Sequence, residues 1–346
     1  MDIELANNYG IFLHELRSFV KEWKSEKDPY VQFEKYLGDR PFEKFVLTAP
    51  EPASSWNDFL QWVNELEGSW CFRGQREAPW KLHTSLDRAI KVEYSKNHSD
   101  GSYSSGSWYL DHKTEQHELL FRFQQQAPRY LSDLPAIDDH ASWFALMQHY
   151  GVPTCLLDWT RSPYKALYFA FADEPQGANA AVWAINLAWL TTRGQELLGS
   201  EAPTACTEYM NGSFRTVKPV IVEIKPRKIN ERIVAQEGIL LYKLTHGTIF
   251  NQDLTFNQIL MYMMSEVPDK PVLRRLFLKK ELRINFLKHL QERNIHSVSL
   301  FQGFDGFCKS FKIALEIKVA DEIQNIPSTA EFMKSRNSGE RKKDMR

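Results

Sequence analysis

The sequence has few cysteines and no long apolar run. Its four cysteines lie far apart and include no Cys-x-x-Cys pair, so neither a disulfide framework nor a zinc site is indicated. No stretch reaches the roughly 20 apolar residues that a bilayer span needs. The first ten residues also lack the basic-then-apolar order of a signal peptide. We therefore expect a cytoplasmic protein that does not contact a membrane.

The chain has almost no net charge, but its two parts differ in sign. The formal net charge is -1, whereas residues 1–214 carry 19 Lys and Arg against 29 Asp and Glu, and residues 215–346 carry 24 against 15. A near-neutral chain is not typical of a nucleic-acid binder as a whole, although a basic carboxyl-terminal part is compatible with phosphate contacts. All ten tryptophans fall in the acidic part, so we expect the two parts to differ in function.

The apolar pattern predicts an α+β protein with helices at both ends. Residues 1–50 have helical spacing, with two short helices expected within 9–37, and residues 51–250 alternate predicted strands and helices. Residues 251–332 are predicted to be mainly helical, and the polar, basic residues 333–346 to be a disordered tail. A Ser- and Gly-rich stretch at 95–108 is predicted to be a mobile loop.

The most informative stretch runs from residue 147 to residue 172 and predicts a strand, a polar turn and a helix. His149 and Tyr150 precede a Gly-Val-Pro turn, a strand follows, and a helix begins near Pro163. Asp158, Thr160 and Ser162 would lie at the end of that strand, beside the amino end of the helix. Such residues bind a ligand phosphate or only cap the helix.

A second short strand ends in Arg73 and Gly74. The Arg73 guanidinium would lie among Trp70, Phe72 and Trp80, and it needs an anion because it keeps its charge and is costly to desolvate. The sequence leaves two anions as alternatives for Arg73. One is the diphosphate of a ligand, and the other is an internal carboxylate, for which Asp158 is the best candidate.

These two stretches resemble the FRG domain family, which is named after the Phe-Arg-Gly triplet found here at residues 72–74. The resemblance covers roughly residues 57 to 173. The sequence departs from the family at Cys155, where the family usually has an Arg. A more distant similarity, in residue order and type, is to the ADP-ribosyltransferase superfamily, which implies an ADP-ribosyltransferase-like mixed β core.

The second resemblance implies a set of roles for residues that bind NAD. In that scheme Arg73 and Gly74 anchor NAD, and the nicotinamide pocket is formed by polar and aromatic groups of the central stretch, namely His149, Tyr150, Asp158, Thr160 and Ser162. Glu237, with Gln236 beside it, is the candidate catalytic carboxylate before a predicted strand. The alternative is that Glu237 is an ordinary surface residue in a loop.

The basic carboxyl-terminal part contains candidate nucleic-acid contacts. A run between residues 272 and 290 has apolar positions at helical spacing and nearly uniform positive charge. Such a run is usually a solvated helix face, but uniform charge also suits a phosphate backbone. The candidates are Arg274, Arg275, Lys279, Lys280 and Arg283. No His-Glu-x-x-His or similar spacing predicts a metal site.

Two functions follow from the sequence. The first is an NAD-dependent ADP-ribosyltransferase that modifies nucleic acid, with RNA favoured over DNA, and that acts as a toxin or anti-phage effector. Such an enzyme would need an antitoxin or chaperone partner. The second is a non-catalytic module that binds a nucleotide or a nucleic acid, and it predicts ligand binding without release of nicotinamide.

Overall fold

The computed structural model describes residues 10–18, 20–21, 42–89, 112–174, 177–199, 207–208, 210–211, 218–244 and 254–324. The predicted second amino-terminal helix, the loop at 95–108, Cys206 and the tail at 333–346 lie outside these residues. The first amino-terminal helix is confirmed at residues 10–18.

The described residues form helices and strands in alternation. The strands are β1 (Leu47–Thr48), β2 (Trp70–Gln75), β3 (Leu156–Thr160), β4 (Ala180–Asn186), β5 (Val220–Ile224), β6 (Gly238–Leu244) and β7 (Leu273–Leu278). The α-helices are α1 (Trp56–Asn64), α2 (His112–Gln126), α3 (His140–His149), α4 (Pro163–Phe171), α5 (Leu187–Leu198), α6 (Glu231–Ala235), α7 (Phe256–Met263), α8 (Arg283–Gln291), α9 (Ser297–Leu300) and α10 (Phe304–Gln324). Short 3-10 turns cover Ala127–Arg129 and Lys280–Leu282, and residues 85–89 are also helical.

All seven strands belong to one sheet in the order β1-β7-β4-β2-β3-β6-β5. Only β1 and β7 pair in parallel, and every other described pair is antiparallel. β2 pairs with β4 over six residues but with β3 at a single residue pair, Phe72 with Thr160. The ladder between β2 and β3 therefore opens immediately beyond Phe72, at Arg73.

The connection from β3 to β4 places α4 directly over β2. Because β3 and β4 are both antiparallel to β2 and lie on either side of it, they run in the same direction and need a crossover. Ser162 caps α4 by accepting a hydrogen bond from the Lys165 N–H, and Pro163 occupies the first turn. This confirms the predicted order of strand, polar turn and helix.

Helices cover both faces of the sheet. On one face α1, α4, α8 and α9 pack with alternate residues of β4, among them Val182 and Ala184. On the other face α3, α5 and α7 pack with the intervening residues, among them Trp183 and Ile185. Since the central strands are buried on both faces, they read as continuous apolar runs rather than as alternating ones. The mixed α and β composition that we predicted is confirmed.

The helix predicted around residues 272–278 is wrong, because Leu273–Leu278 is strand β7. It lies between β1 and β4, so it belongs to the same sheet as the Phe-Arg-Gly strand. Leu273 and Leu276 face opposite cores. A short apolar run fits either a buried strand or a helix, and only the neighbouring strands decide between them.

Candidate functional site

The three residues of the Phe-Arg-Gly triplet have three different environments. Phe72 is buried beneath α1, with its ring 6.5 Å from that of Trp62. Gly74 faces α4, where an added Cβ would lie 1.9 Å from the Ala166 carbonyl oxygen. Arg73 alternates with them and points to the opposite face of the sheet. The glycine thus permits close packing of the helix on the strand.

The Arg73 guanidinium is held at the opening between β2 and β3. Its Nη1 donates to the backbone carbonyl of Asp158 at 2.6 Å, and its Nε is buried without a hydrogen-bond partner among the described residues. Burial lowers the pKa of Arg73 to about 10, although the Asp158 carboxylate opposes that shift. The side chain is half-buried and that of Asp158 is exposed. Arg73 therefore bonds the main chain of Asp158 and keeps donors that no described residue accepts.

A second group of predicted residues meets where β3 ends and β6 begins. The Thr160 hydroxyl donates to the Gln236 carbonyl at 2.7 Å, and the Ser162 N–H donates to the Thr160 hydroxyl at 3.1 Å. The Gln236 amide donates to the Leu300 carbonyl at 3.1 Å. Thr160, Ser162 and Gln236 are therefore brought together, but each uses a polar group to fix the backbone around it.

Glu237 stands at the edge of this group in an unusual backbone conformation. Its φ is 47°, in the left-handed region that residues with a Cβ rarely adopt. Its carboxylate accepts from the Lys165 Nζ at 2.8 Å, and Lys165 also donates to the Ala235 carbonyl at 2.7 Å. The Glu237 side chain is 52% exposed. The carboxylate is thus held by one cation and remains accessible to solvent.

A cavity of about 510 Å³ lies between the end of α3, helix α6 and the start of α10. His149 and Tyr150 line it, as do Arg232, Phe301 and Lys309. The remaining lining residues are Asp133, Pro135, Ser142, Ala145, Leu146, Lys228, Ile229, Asn230, Glu231, Gln302 and Asp305. Arg73, Gly74, Asp158, Thr160, Ser162, Gln236 and Glu237 are not among its lining residues.

Two cations of the cavity flank one aromatic ring. The Arg232 guanidinium lies 4.8 Å from the centre of the Phe301 ring, and the Lys309 ammonium lies 4.5 Å from it. Neither cation makes an ion pair with a described carboxylate, whereas Lys228 of the same cavity pairs with Asp133. The sequence gives no signal that Arg232, Phe301 and Lys309 meet, because they lie on separate segments that only the tertiary structure brings together.

His149, which lines the cavity, has a perturbed pKa. Partial burial and the nearby Arg232 charge both lower the pKa of His149 from its ordinary value of 6.5. Its ring contacts that of Tyr150 edge to face at 4.9 Å. The cavity lining therefore combines an imidazole and an exposed phenol ring with the cations of Arg232 and Lys309.

The predicted nucleic-acid residues are mostly buried and paired. Arg274 and Arg275 have side chains 4% and 8% exposed and pair with Glu65 and Glu43. Arg283 is 7% exposed, pairs with Glu316 and donates to the Phe171 and Ala172 carbonyls. Of the five predicted contacts, only Lys279 and Lys280 are exposed. Their role in nucleic-acid binding stays a prediction, but the three arginines already pair with carboxylates of the same chain.

The described residues contain no group of three or more His, Cys, Asp or Glu side chains arranged to hold a metal ion. Within the same part of the chain, no helix is both long enough and apolar enough to cross a membrane.

Comparison with known proteins identifies one domain within the chain. No curated protein and no solved structure matches the chain. The family model of the FRG domain matches residues 68–179, a range that contains β2, β3, α4 and the Phe-Arg-Gly triplet. The resemblance expected from the two sequence stretches is confirmed, because residues 68–179 match the FRG domain.

Proposed function

We propose that the chain binds a nucleotide in the cavity between α3, α6 and α10. The observation that supports this most is the pair of cations at Phe301, because neither Arg232 nor Lys309 is neutralised by a described carboxylate. Two unpaired cations in one concave site favour an anionic ligand. The planar guanidinium of Arg232 suits a phosphate, which it binds through two parallel hydrogen bonds.

The aromatic part of the cavity lining suits a base. Tyr150 is 54% exposed and lies beside His149, and aromatic faces of this kind stack on planar rings. The cavity volume of about 510 Å³ lies within the range of roughly 300–1,000 Å³ that is usual for small-molecule sites. Phosphates at Arg232 and Lys309 and a base at Tyr150 together describe a nucleotide.

Calorimetric titration of the full chain with ADP-ribose, NAD and inorganic phosphate tests this proposal. We expect Arg232→Gln to weaken ADP-ribose binding by about 10- to 100-fold, because a lost charge-assisted contact costs roughly 1.5–3 kcal/mol. Arg227→Gln is the matched control, since Arg227 is exposed, close in sequence and not part of the cavity lining. Equal binding by both variants would contradict the proposal.

The pH dependence of binding gives a second test. A bound anion raises the pKa of His149, which burial and Arg232 hold below 6.5 in the free protein. Binding then takes up a proton, so affinity rises as pH falls through the pKa values of the bound and free states. His149→Gln should flatten this dependence on pH, and an unchanged profile would show that the ligand does not lie beside His149.

ADP-ribosyl transfer from NAD to nucleic acid is the second candidate function, and Glu237 is the observation that favours it. A left-handed backbone at a non-glycine residue costs about 1–3 kcal/mol and is concentrated at functional sites. In this reaction the bond between ribose and nicotinamide breaks, and nicotinamide leaves with the electron pair. The acceptor atom then attacks the ribose carbon, and a carboxylate such as that of Glu237 takes the acceptor's proton.

In the ADP-ribosyl transfer reaction, Arg73 would anchor the diphosphate of NAD. Its guanidinium retains donors at the opening between β2 and β3, which is the arrangement that a diphosphate anchor needs. An ADP-ribosyltransferase-like core is the finer fold assignment that this reaction implies. The acceptor, with RNA favoured over DNA, is part of the same proposal, as are an effector role and a neutralising antitoxin or chaperone.

Turnover separates the two candidates. The purified chain is incubated with NAD labelled on the adenine side and, in separate samples, RNA, single-stranded DNA and cell protein. Label transfer and free nicotinamide are both measured. Glu237→Gln should lower both by on the order of 10²-fold if the carboxylate is catalytic. Binding of NAD with no nicotinamide release would leave the non-catalytic module as the function.

A further inference from the structure

A second cavity, of about 230 Å³, lies between helices α4, α8, α9 and α10. Its least exposed lining residues are Tyr168 and Ser297, at 2% and 1%, whereas Val298 is 42% exposed. The cavity therefore reaches from solvent to two hydroxyl groups in the protein interior. It shares no lining residue with the cavity between α3, α6 and α10. The remaining lining residues are Leu287, Gln291, Ile295, His296, Ser310, Ile313 and Ala314.

The second cavity differs from the first in charge. None of its described lining residues is Asp, Glu, Lys or Arg. Both ring nitrogens of His296 are already used, because Nδ1 accepts from the Ser299 N–H at 3.4 Å and Nε2 lies 2.8 Å from the Asn294 Oδ1. Since an unpaired charge is costly to bury, this cavity excludes ligands with phosphate, carboxylate or ammonium groups.

The two buried hydroxyls have one proton more than their mutual contact uses. The Tyr168 and Ser297 oxygens lie 2.8 Å apart, and either can donate to the other. One proton occupies this hydrogen bond, and the other has no acceptor among the described residues. Burial raises the pKa of Tyr168 above its ordinary value of 10.0, so the phenol keeps its proton at neutral pH. Buried donors are normally paired, and a ligand with an acceptor atom would satisfy this one.

The walls and the size of the cavity limit the rest of the ligand. Leu287, Ile295 and Ile313 are apolar lining residues, so they do not offer the two to four polar partners, on the order of three, that a buried water needs. An apolar cavity of roughly 150 Å³ holds one benzene molecule. A cavity of about 230 Å³ therefore has room for one six-membered ring with a short substituent.

We propose that this cavity binds an uncharged organic compound made of one ring and a carbonyl group. The carbonyl oxygen accepts the free proton of the hydroxyl pair Tyr168 and Ser297, and the ring lies among Leu287, Ile295 and Ile313. Sites of this kind combine apolar walls with a few placed polar groups that orient the ligand. The carbonyl thus gives the site its specificity, and the ring gives most of the buried contact.

Binding of acetophenone and α-methylstyrene to the full chain, measured by ligand-observed NMR titration, tests this proposal. The two compounds have the same shape, but α-methylstyrene has a methylene group in place of the carbonyl oxygen. The double variant Tyr168→Phe, Ser297→Ala should weaken acetophenone binding about 10-fold, because the buried carbonyl loses its donor. It should not weaken α-methylstyrene binding. Equal losses for both compounds, or unchanged binding of acetophenone, would overturn the proposal.

A control variant and a labelling experiment complete the test. Ser310→Ala should bind both compounds like the wild type, because the Ser310 hydroxyl already donates to the Phe307 carbonyl. Circular dichroism verifies that the variants stay folded. In the wild type, photolysis of bound 4-azidoacetophenone should label residues 287–298 and 310–314, as identified by mass spectrometry, and excess acetophenone should suppress the labelling. Labelling of other segments alone, or no saturable binding of acetophenone, would overturn the site.

Discussion

Replacement of Gly74 by alanine tests the structural reason for the glycine of the Phe-Arg-Gly triplet. The new Cβ would lie 1.9 Å from the Ala166 oxygen and 2.5 Å from the Ala170 nitrogen. Both are backbone atoms of α4, so no side-chain rotation relieves the overlap. Contacts below 3.0 Å are essentially never made by a Cβ, and the helix must therefore retreat from β2 by about 1 Å.

The loss of stability caused by this shift of α4 can be calculated approximately from the packing. Ala166 and Ala170 are fully buried on β2, and overpacking of a dense core costs about 1–3 kcal/mol, occasionally more. Because the clash is between backbones, we expect the upper end, about 3 kcal/mol. With a urea slope of about 3 kcal/mol/M, the unfolding midpoint should fall by about 1 M.

Urea denaturation followed by circular dichroism measures this shift. Gly177→Ala is the control, because no heavy atom lies within 4 Å of a Cβ at Gly177, and its stability should change by less than about 0.5 kcal/mol. Adding Ala166→Gly to Gly74→Ala should not restore the free energy of unfolding, since the oxygen that meets the new Cβ belongs to the main chain. If Gly74→Ala unfolds at the same urea concentration as the control, the packing explanation is refuted.

Three further predictions concern buried and strained groups. Asp87→Asn should destabilise the fold by about 3–5 kcal/mol, because it removes the carboxylate that lies 2.5 Å from the fully buried ammonium of Lys243. The double variant Asp87→Leu, Lys243→Met should recover much of this stability, as measured by thermal unfolding. At pH 8, iodoacetamide should alkylate exposed Cys308 but not Cys71, since burial raises the pKa of the Cys71 thiol. Fast alkylation of native Cys71 would contradict the burial of its thiol. Because burial raises the pKa of this thiol in the folded state, its contribution to stability is complete below the unfolded pKa of 9.0 and is lost as pH rises further. Glu237→Gly should be about 1 kcal/mol more stable than Glu237→Ala, because both variants lose the carboxylate but only glycine adopts a φ of 47° without strain. Equal unfolding midpoints in urea would show that the backbone at residue 237 is not strained.

Local sequence patterns predicted the elements around the triplet well. Ser162 and Pro163 have the chemistry that begins a helix, and the structure begins α4 there. Of the two partners left open for Arg73, Asp158 is in contact with it, but through the Asp158 carbonyl instead of the carboxylate. The difference arises because β2 and β3 separate at this point, which leaves a main-chain acceptor that the sequence pattern does not reveal.

The sequence alone determined that this chain is an α+β protein with a helix after a buried strand, because caps, turns and apolar runs act over a few residues. It also supplied the Phe-Arg-Gly triplet, which lies in the part of the chain that matches the FRG domain. Only the tertiary structure decided that Arg274 and Arg275 are internal, since the carboxylates that neutralise them are more than 200 positions away in the chain. It alone also brought Arg232 and Lys309 to one ring of Phe301. Charge and hydrophobicity are properties of a residue, whereas burial and pairing depend on which distant segments the fold places beside it.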